Sequence, residues 1–257
     1  LTQDNVSISR RDRKARQPVR LGVDVDKNCL SYWFPLIEPV VPTPRTEIIR
    51  SGDMTAILDG EIPGGWGELL AAINTARGKL GPDCFLRTGQ GSGKTNWSKT
   101  CHLPETANIA EHVAELVEWS AMVDFMGLPA NVWCVREMLP TSPIGVCQDY
   151  GGMPVCREFR FFAEAGTVRC FHPYWPLGAL NEGGLSGDFP FGWYEEFCRL
   201  DDPEPRRLAE AVSNAVPGAW SVDILETKRG WFVTDMAEAD RSFHWPECTS
   251  QLGELID

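Results

Sequence analysis

Several features are missing from this sequence, and each absence removes a class of function. None of its apolar runs approaches the roughly eighteen residues of a membrane-spanning helix, so no transmembrane segment and no membrane partner are expected. The opening LTQDNVSISRRDRKARQPVR is polar and basic and lacks the apolar stretch of a secretory signal, so a soluble, cytoplasmic chain is expected. The nine cysteines, at 29, 84, 101, 134, 147, 156, 170, 198 and 248, are scattered, odd in number and contain no C-x-x-C pair. That pattern speaks against a zinc site and a disulfide framework, and for buried thiols in a reducing compartment. Histidine is scarce: His112, His172 and His244 form no metal set in the sequence, and only His102 stands beside a glycine-rich loop. No G-x-S-x-G elbow and no internal repeat occur.

The 257 residues suit one large domain or two lobes sharing a core. The net charge of −12 makes nonspecific binding to duplex DNA unexpected. One basic cluster, Arg10, Arg11, Arg13, Lys14 and Arg16, reads as a mobile arm or a phosphate-touching one.

Residues 1–18 read as a flexible lead-in, 19–105 as an N-terminal lobe carrying the glycine-rich loop, and 106–257 as a C-terminal lobe with a metal-binding hairpin. Prolines at 35, 39, 42 and 44 argue against a continuous helix and for an extended stretch. WGELLAAINTARGKL has helical spacing, DCFLRT is a short strand, and a helix capped by Thr106 or Asn108 runs toward Gly127. VWCVREML reads as a buried strand, VCREFRFFAEAGTVRCFHPY as a hairpin turning at Glu164–Gly166, and WSVDILETKRGWFVTDMAEA as a second hairpin turning at Lys228–Gly230. Residues 177–192 carry no apolar period and read as a loop, and EPRRLAEAVSNAV as a short helix. Hairpins with helices between them, without regular βαβ alternation, point to an α+β fold.

Four constellations carry chemistry. The loop Thr88–Thr95 places glycines at 89, 91 and 93 before Lys94, which suits backbone cradling of an anion. Thr88 stands where a P-loop requires glycine, and NWSKTCHLPET does not open a helix, so another kind of phosphate-covering loop is favoured, with Gly91 and Gly93 in it. Arg87, Lys94 and Lys99 surround the loop as phosphate-binding cations. Asp223, Asp235 and Glu238 sit on the paired strands of the last hairpin as candidate Mg²⁺ ligands. Alternation puts Glu158, Arg160 and Phe162 on one strand face, where Arg160 serves either a salt bridge or a phosphate. Arg136-Glu137 shows the same ambiguity, and the following Met138-Leu139 suits an adenine slot.

In order and spacing these landmarks resemble the ATP-grasp superfamily, above all its arginine-for-lysine clade and the related cell-division-cycle chaperones that help assemble a translation initiation factor. The similarity runs over about 30–240. It is carried by Tyr32-Trp33-Phe34-Pro35, by FLRTGQGSGKTNW with Arg87, Lys94 and Trp97, by Arg136-Glu137, by Glu158–Phe162, by Asp223-Ile224 and by Thr234–Glu238. Arg87 stands where the chaperones have lysine. Ala237 stands where the usual asparagine metal ligand would be, which leaves Glu238 as its substitute.

The resemblance implies a two-lobed ATP-grasp fold with the nucleotide between the lobes. It also implies ATP and Mg²⁺ as cofactors, Arg87, Lys94 and Arg160 on the phosphates, and Asp223, Asp235 and Glu238 on the metal. Three activities follow: a ligase that activates a carboxylate as an acyl phosphate for an amine, an RNA end-joining enzyme working through adenylate on Lys94 or Lys99, and an ATP-binding assembly chaperone. The acceptor, whether small molecule, peptide or RNA, is not written in the sequence.

Overall fold

The computed structural model describes residues 26–123, 127–245 and 248; the basic cluster at 10–16 lies outside them. In chain order the elements are α1 (Leu30–Ile37), β1 (Thr46–Arg50), α2 (Trp66–Leu80), β2 (Cys84–Thr88), β3 (His102–Leu103), α3 (Ile109–Met122), β4 (Val132–Glu137), β5 (Gly145–Cys147) and β6 (Met153–Val155). They continue with β7 (Glu158–Glu164), β8 (Thr167–Pro173), α4 (Leu177–Glu182), β9 (Leu185–Ser186), α5 (Trp193–Cys198), α6 (Glu204–Ala215), β10 (Ala219–Thr227) and β11 (Gly230–Glu238).

Two four-stranded antiparallel sheets dominate, ordered β1-β4-β2-β3 and β11-β10-β7-β8, with a small third sheet β6-β5-β9. This is the α+β, two-lobed architecture expected from the alternation of hairpins and helices. The first sheet includes β4, so it extends to Glu137, beyond residue 105.

Each sheet buries one face under helices. Leu69, Ile73 and Ala76 of α2 and Val113, Leu116 and Val117 of α3 pack on Cys84, Leu86, Trp133 and Val135. Asn108 caps α3, its side chain accepting from the Ala110 N–H at 3.1 Å. On the second sheet, Leu208, Ala209 and Val212 of α6 cover Phe159, Phe161, Trp220, Val222 and Val233. Strand alternation then leaves Phe85 and Arg87 of β2, Glu158 and Arg160 of β7 and Asp223 of β10 on the opposite faces, toward each other.

Two readings of local structure are corrected. The proline-rich stretch opens with a helix, α1, that contains Pro35. An interior proline costs about 3 kcal/mol. Leu30, Trp33, Phe34 and Ile37 are buried on that helix, and at about 1.5–3 kcal/mol per side chain their burial outweighs the proline. Residues 177–192 likewise hold α4 and β9, anchored by Leu180 among Cys147, Val155 and Phe197. No described helix is long and apolar enough to cross a membrane.

Candidate active site

Arg87 is the last residue but one of β2, and Leu86 and Cys84 belong to the helix-covered face, so it turns into the space between the sheets. It is 3% exposed, and its Nη1 lies 2.8 Å from Asp235 Oδ2. Lys94 opens a single 3₁₀ turn after the glycine loop, with Nζ 3.6 Å from Glu158 Oε2 and 4.5 Å above the Tyr174 ring. Arg160 makes a two-point pair with Asp223, at 2.8 and 2.9 Å, and lies 4.8 Å from the same Tyr174 ring. Arg136, at the end of β4, donates to Thr46 Oγ1 at 3.1 Å and to the Thr234 carbonyl. Its buried Nη2 has no hydrogen-bond partner among the described residues.

The electrostatics follow from burial and pairing. Burial alone would lower the Lys94 pKa, but Glu158, Tyr174, Asp223 and Asp235 together raise it. Burial pushes the Glu158 carboxyl up, against the pull of Lys94. Asp235 is held below the usual carboxylate range because Arg87, with Lys94 and Arg136 behind it, outweighs its desolvation. Arg136 is pulled down to about 10 by burial and then by Arg87. Glu137 is half committed elsewhere: it accepts from the Arg45 N–H at 3.0 Å and pairs with Arg45 and Arg229 on the rim.

These groups lie between two hollows. A narrow slot of about 120 Å³ is walled by Phe85, Met138, Leu139, Met153 and Leu225, with Arg87, Lys94 and Arg136 at its polar end. A wider cleft of about 830 Å³ is lined by Asn28, Gln90, Arg160, Asp223, Ala237 and Arg241. Asp235 lines both.

Not every residue singled out in the sequence reaches this place. Lys99 is exposed and lines a separate hollow with Leu58 and Glu111. Gly91 is packed: a Cβ there would meet the Trp119 ring at 2.3 Å, and its N–H donates to Thr88 Oγ1 at 3.0 Å. Gly93 has φ +63°, which favours glycine and sets the turn before Lys94. His102 stacks on Trp97 at 5.4 Å and is not a lining residue of either hollow. Tyr174, between Lys94 and Arg160, was not read from the sequence. Its N–H donates to the Glu158 carbonyl at 2.8 Å, so counting the β7–β8 hairpin outward from its turn places it there.

For a metal, the donors divide. A one-residue bulge at Thr234 pairs Asp223 with Asp235 across β10 and β11 and puts both on the cleft face. Glu238 also lines the wider cleft, at its rim, but it pairs across the strands with Trp220 rather than with the aspartates, and its carboxylate is held by Lys27 at 3.2 Å and by Asn28. Among the described residues, Asp223, Asp235 and Glu238 do not bring their oxygens within 4.8 Å of one another. The two aspartates supply the hard oxygens that suit Mg²⁺ shared with phosphate, whereas Ala237 supplies none.

No protein-family model matches the chain, and no curated protein matches it significantly. Among solved structures, C-terminally truncated Cdc123 from Schizosaccharomyces pombe is similar at 15% identity over 90% of this chain and 93% of that one, with a TM-score of 0.52. A second Cdc123 structure from the same organism gives 15% identity, 91% and 96% coverage and a TM-score of 0.50. A RimK domain ATP-grasp protein from Sphaerobacter thermophilus aligns at 15% identity over 81% of this chain, with a TM-score of 0.43. This chain spans only 58% of that protein. The chain has the fold of these Cdc123 structures. Its two large sheets face each other across Arg87, Lys94, Arg160 and Asp235.

Proposed function

We propose that this chain is an ATP- and Mg²⁺-dependent ligase that activates a carboxylate as an acyl phosphate and passes it to an amine. The observation that carries this reading is the row of cations, Arg87, Lys94 and Arg160, running from an apolar slot into a wider polar cleft that shares Asp235 with it. The slot suits a purine between Phe85, Met138 and Leu139, with the Glu137–Leu139 backbone reading the base edge. Arg87 and Lys94 hold the phosphate chain, Arg136 offers its unpaired Nη2, and Arg160 faces the group being transferred. Asp223 and Asp235 would hold Mg²⁺, which supplies charge neutralisation on the phosphates.

The reaction needs no protein nucleophile. A substrate carboxylate oxygen attacks the γ-phosphorus and ADP leaves; the amine then attacks the acyl carbon and phosphate leaves. This chain's residues position the reactants and offset developing charge. Transfer of adenylate through Lys94 is disfavoured, because an ammonium held charged by Glu158 is a poor nucleophile, and Lys99 lies outside the cleft. A second reading, an ATP-binding assembly protein, is favoured by the near-complete overlap with Cdc123.

ATP labelled at the α or γ position separates these readings, with pooled carboxylate and amine metabolites, peptides or RNA oligomers as acceptors. The expected products are ADP and phosphate, dependent on a small-molecule or peptide acceptor. AMP and pyrophosphate dependent on RNA would overturn the ligase reading. Tight binding of label with no turnover in any pool would favour the assembly protein.

A further inference from the structure

Outside the cleft, one side-chain cluster has metal-ligand chemistry and no role in the proposed reaction. Cys170 lies on β8, and His244 and Cys248 on the segment after β11. Among the described residues these three alone form a group of His, Cys, Asp or Glu with donor atoms all within 4.8 Å of one another. Cys170 Sγ is 3.1 Å from His244 Nε2. Sequence spacing hides the set, because Cys170 stands 74 residues before His244.

A second observation points to the same place. His172 is two residues along β8 from Cys170, on the same strand face, and its ring centre is 5.5 Å from that of His244. His172 Nδ1 lies 2.7 Å from the Pro173 carbonyl, which can only accept, so Nδ1 carries the proton and Nε2 keeps its lone pair. The residue is 4% exposed, and its buried Nε2 has no hydrogen-bond partner among the described residues. A histidine oriented by a carbonyl at one nitrogen, with the other left open, is arranged as metal-bound histidines are.

We infer that Cys170, His244 and Cys248 bind a zinc ion, and that His172, whose donor atoms lie outside their 4.8 Å group, closes in as the fourth ligand when the ion binds. Two sulfurs and two imidazoles match the preference of Zn²⁺ for a closed tetrahedral N/S set. Binding expels one proton from each thiol and leaves a Zn(Cys)₂(His)₂ centre of zero net charge, which the apolar surroundings of Phe162 tolerate. The ion would pin Phe243 and His244 against the second sheet. The Phe243 carbonyl accepts from Arg160 Nη1 at 3.3 Å, so the site would also fix one neighbour of a cleft arginine.

The test uses the full chain, demetallated and kept reduced with a phosphine. Zn²⁺ is titrated in competition with a chromophoric chelator, and Co²⁺ is followed by its absorption spectrum. One equivalent of metal is expected, with a thiolate-to-cobalt charge-transfer band and a tetrahedral ligand-field spectrum. Cys248→Ser and His244→Asn should each weaken Zn²⁺ binding on the order of 100-fold, and His172→Gln at least tenfold or so. Circular dichroism checks that each variant is folded; Cys248→Ser changes a single atom outside the two main cores. No stoichiometric metal in the reduced chain overturns the inference. So does metal whose spectrum and affinity are untouched by Cys248→Ser and His244→Asn, and so does a Cys170–Cys248 disulfide with no metal uptake after reduction.

Discussion

Lys94 is a half-buried ammonium, its side chain 22% exposed, and the carboxylates around it keep it charged. Glu158 is 5% exposed, and its carboxyl is pushed up by burial and drawn back chiefly by Lys94, with Thr234 Oγ1 donating at 3.0 Å. Lys94→Met should therefore act in two ways. Nucleotide binding is lost, and Glu158, left without its closest cation, takes up a proton rather than stay buried and charged. The sign follows from linkage. A folded pKa raised above the unfolded value of about 4.3 gives stability that is present below that value and lost as pH rises through the folded pKa. The stability gap between wild type and Lys94→Met should widen by about 1–3 kcal/mol between pH 5 and pH 8, read from urea unfolding. An equal gap at both pH values would mean that Lys94 does not control Glu158. The sequence alone placed Lys94 beside a glycine loop but gave no sign of its burial, because Glu158 and Tyr174 come from a hairpin more than sixty residues away.

The glycine loop joins β2 to the following 3₁₀ turn, and its interior is packed rather than open. Thr88 and Gly91 bond each other through the Thr88 N–H and the Gly91 N–H, and Gly89 and Gly91 sit against Cys29, Val132 and Trp119. A mobile phosphate flap would accept an extra methyl group at Gly91, where φ is not in the left-handed region. In the packed loop, Gly91→Ala should cost about 1–3 kcal/mol of unfolding free energy by overpacking, measured by denaturant titration. Wild-type stability in that variant would show that the loop swings clear of Trp119. What the sequence made legible here was periodicity: α2, α3, α6 and both long hairpins follow their apolar spacing, because each has one buried face. Pro35 in α1 and the short elements at 177–186 were not legible. Their formation depends on burial against other segments, Trp33 and Phe34 in one case and Leu180 in the other, and no local pattern encodes that. The pairing of Asp235 with Asp223 was hidden for a related reason: the bulge at Thr234 shifts the register by one residue, and composition does not announce it.

The charge balance of the whole chain bears directly on the metal. The protein carries −12, and the two hollows together set Lys27, Arg87, Lys94, Arg136, Arg160 and Arg241 against Asp26, Glu137, Glu158, Asp223, Asp235 and Glu238, which leaves no net charge. A triphosphate brings about four negative charges at neutral pH, and they enter a site with little bulk water to screen them. A lining with no surplus of cations cannot offset that, and each arginine that turns to a phosphate leaves Asp223 or Asp235 with a charge of its own to satisfy. A divalent cation between those carboxylates and the phosphates resolves both imbalances together. Stabilisation by ATP should therefore depend on Mg²⁺. A ligand at a hundred times its Kd adds about 2.7 kcal/mol, which for a chain of this size raises the melting temperature by roughly 5–10 °C. That shift is expected with ATP and Mg²⁺ and should be largely lost when EDTA is added. Asp235→Asn should remove most of the metal dependence, because it takes away the one carboxylate that lines both hollows. An equal shift with ATP in EDTA would mean that the protein's own cations carry the triphosphate unaided, and the pairing of Asp223 and Asp235 would then be structural.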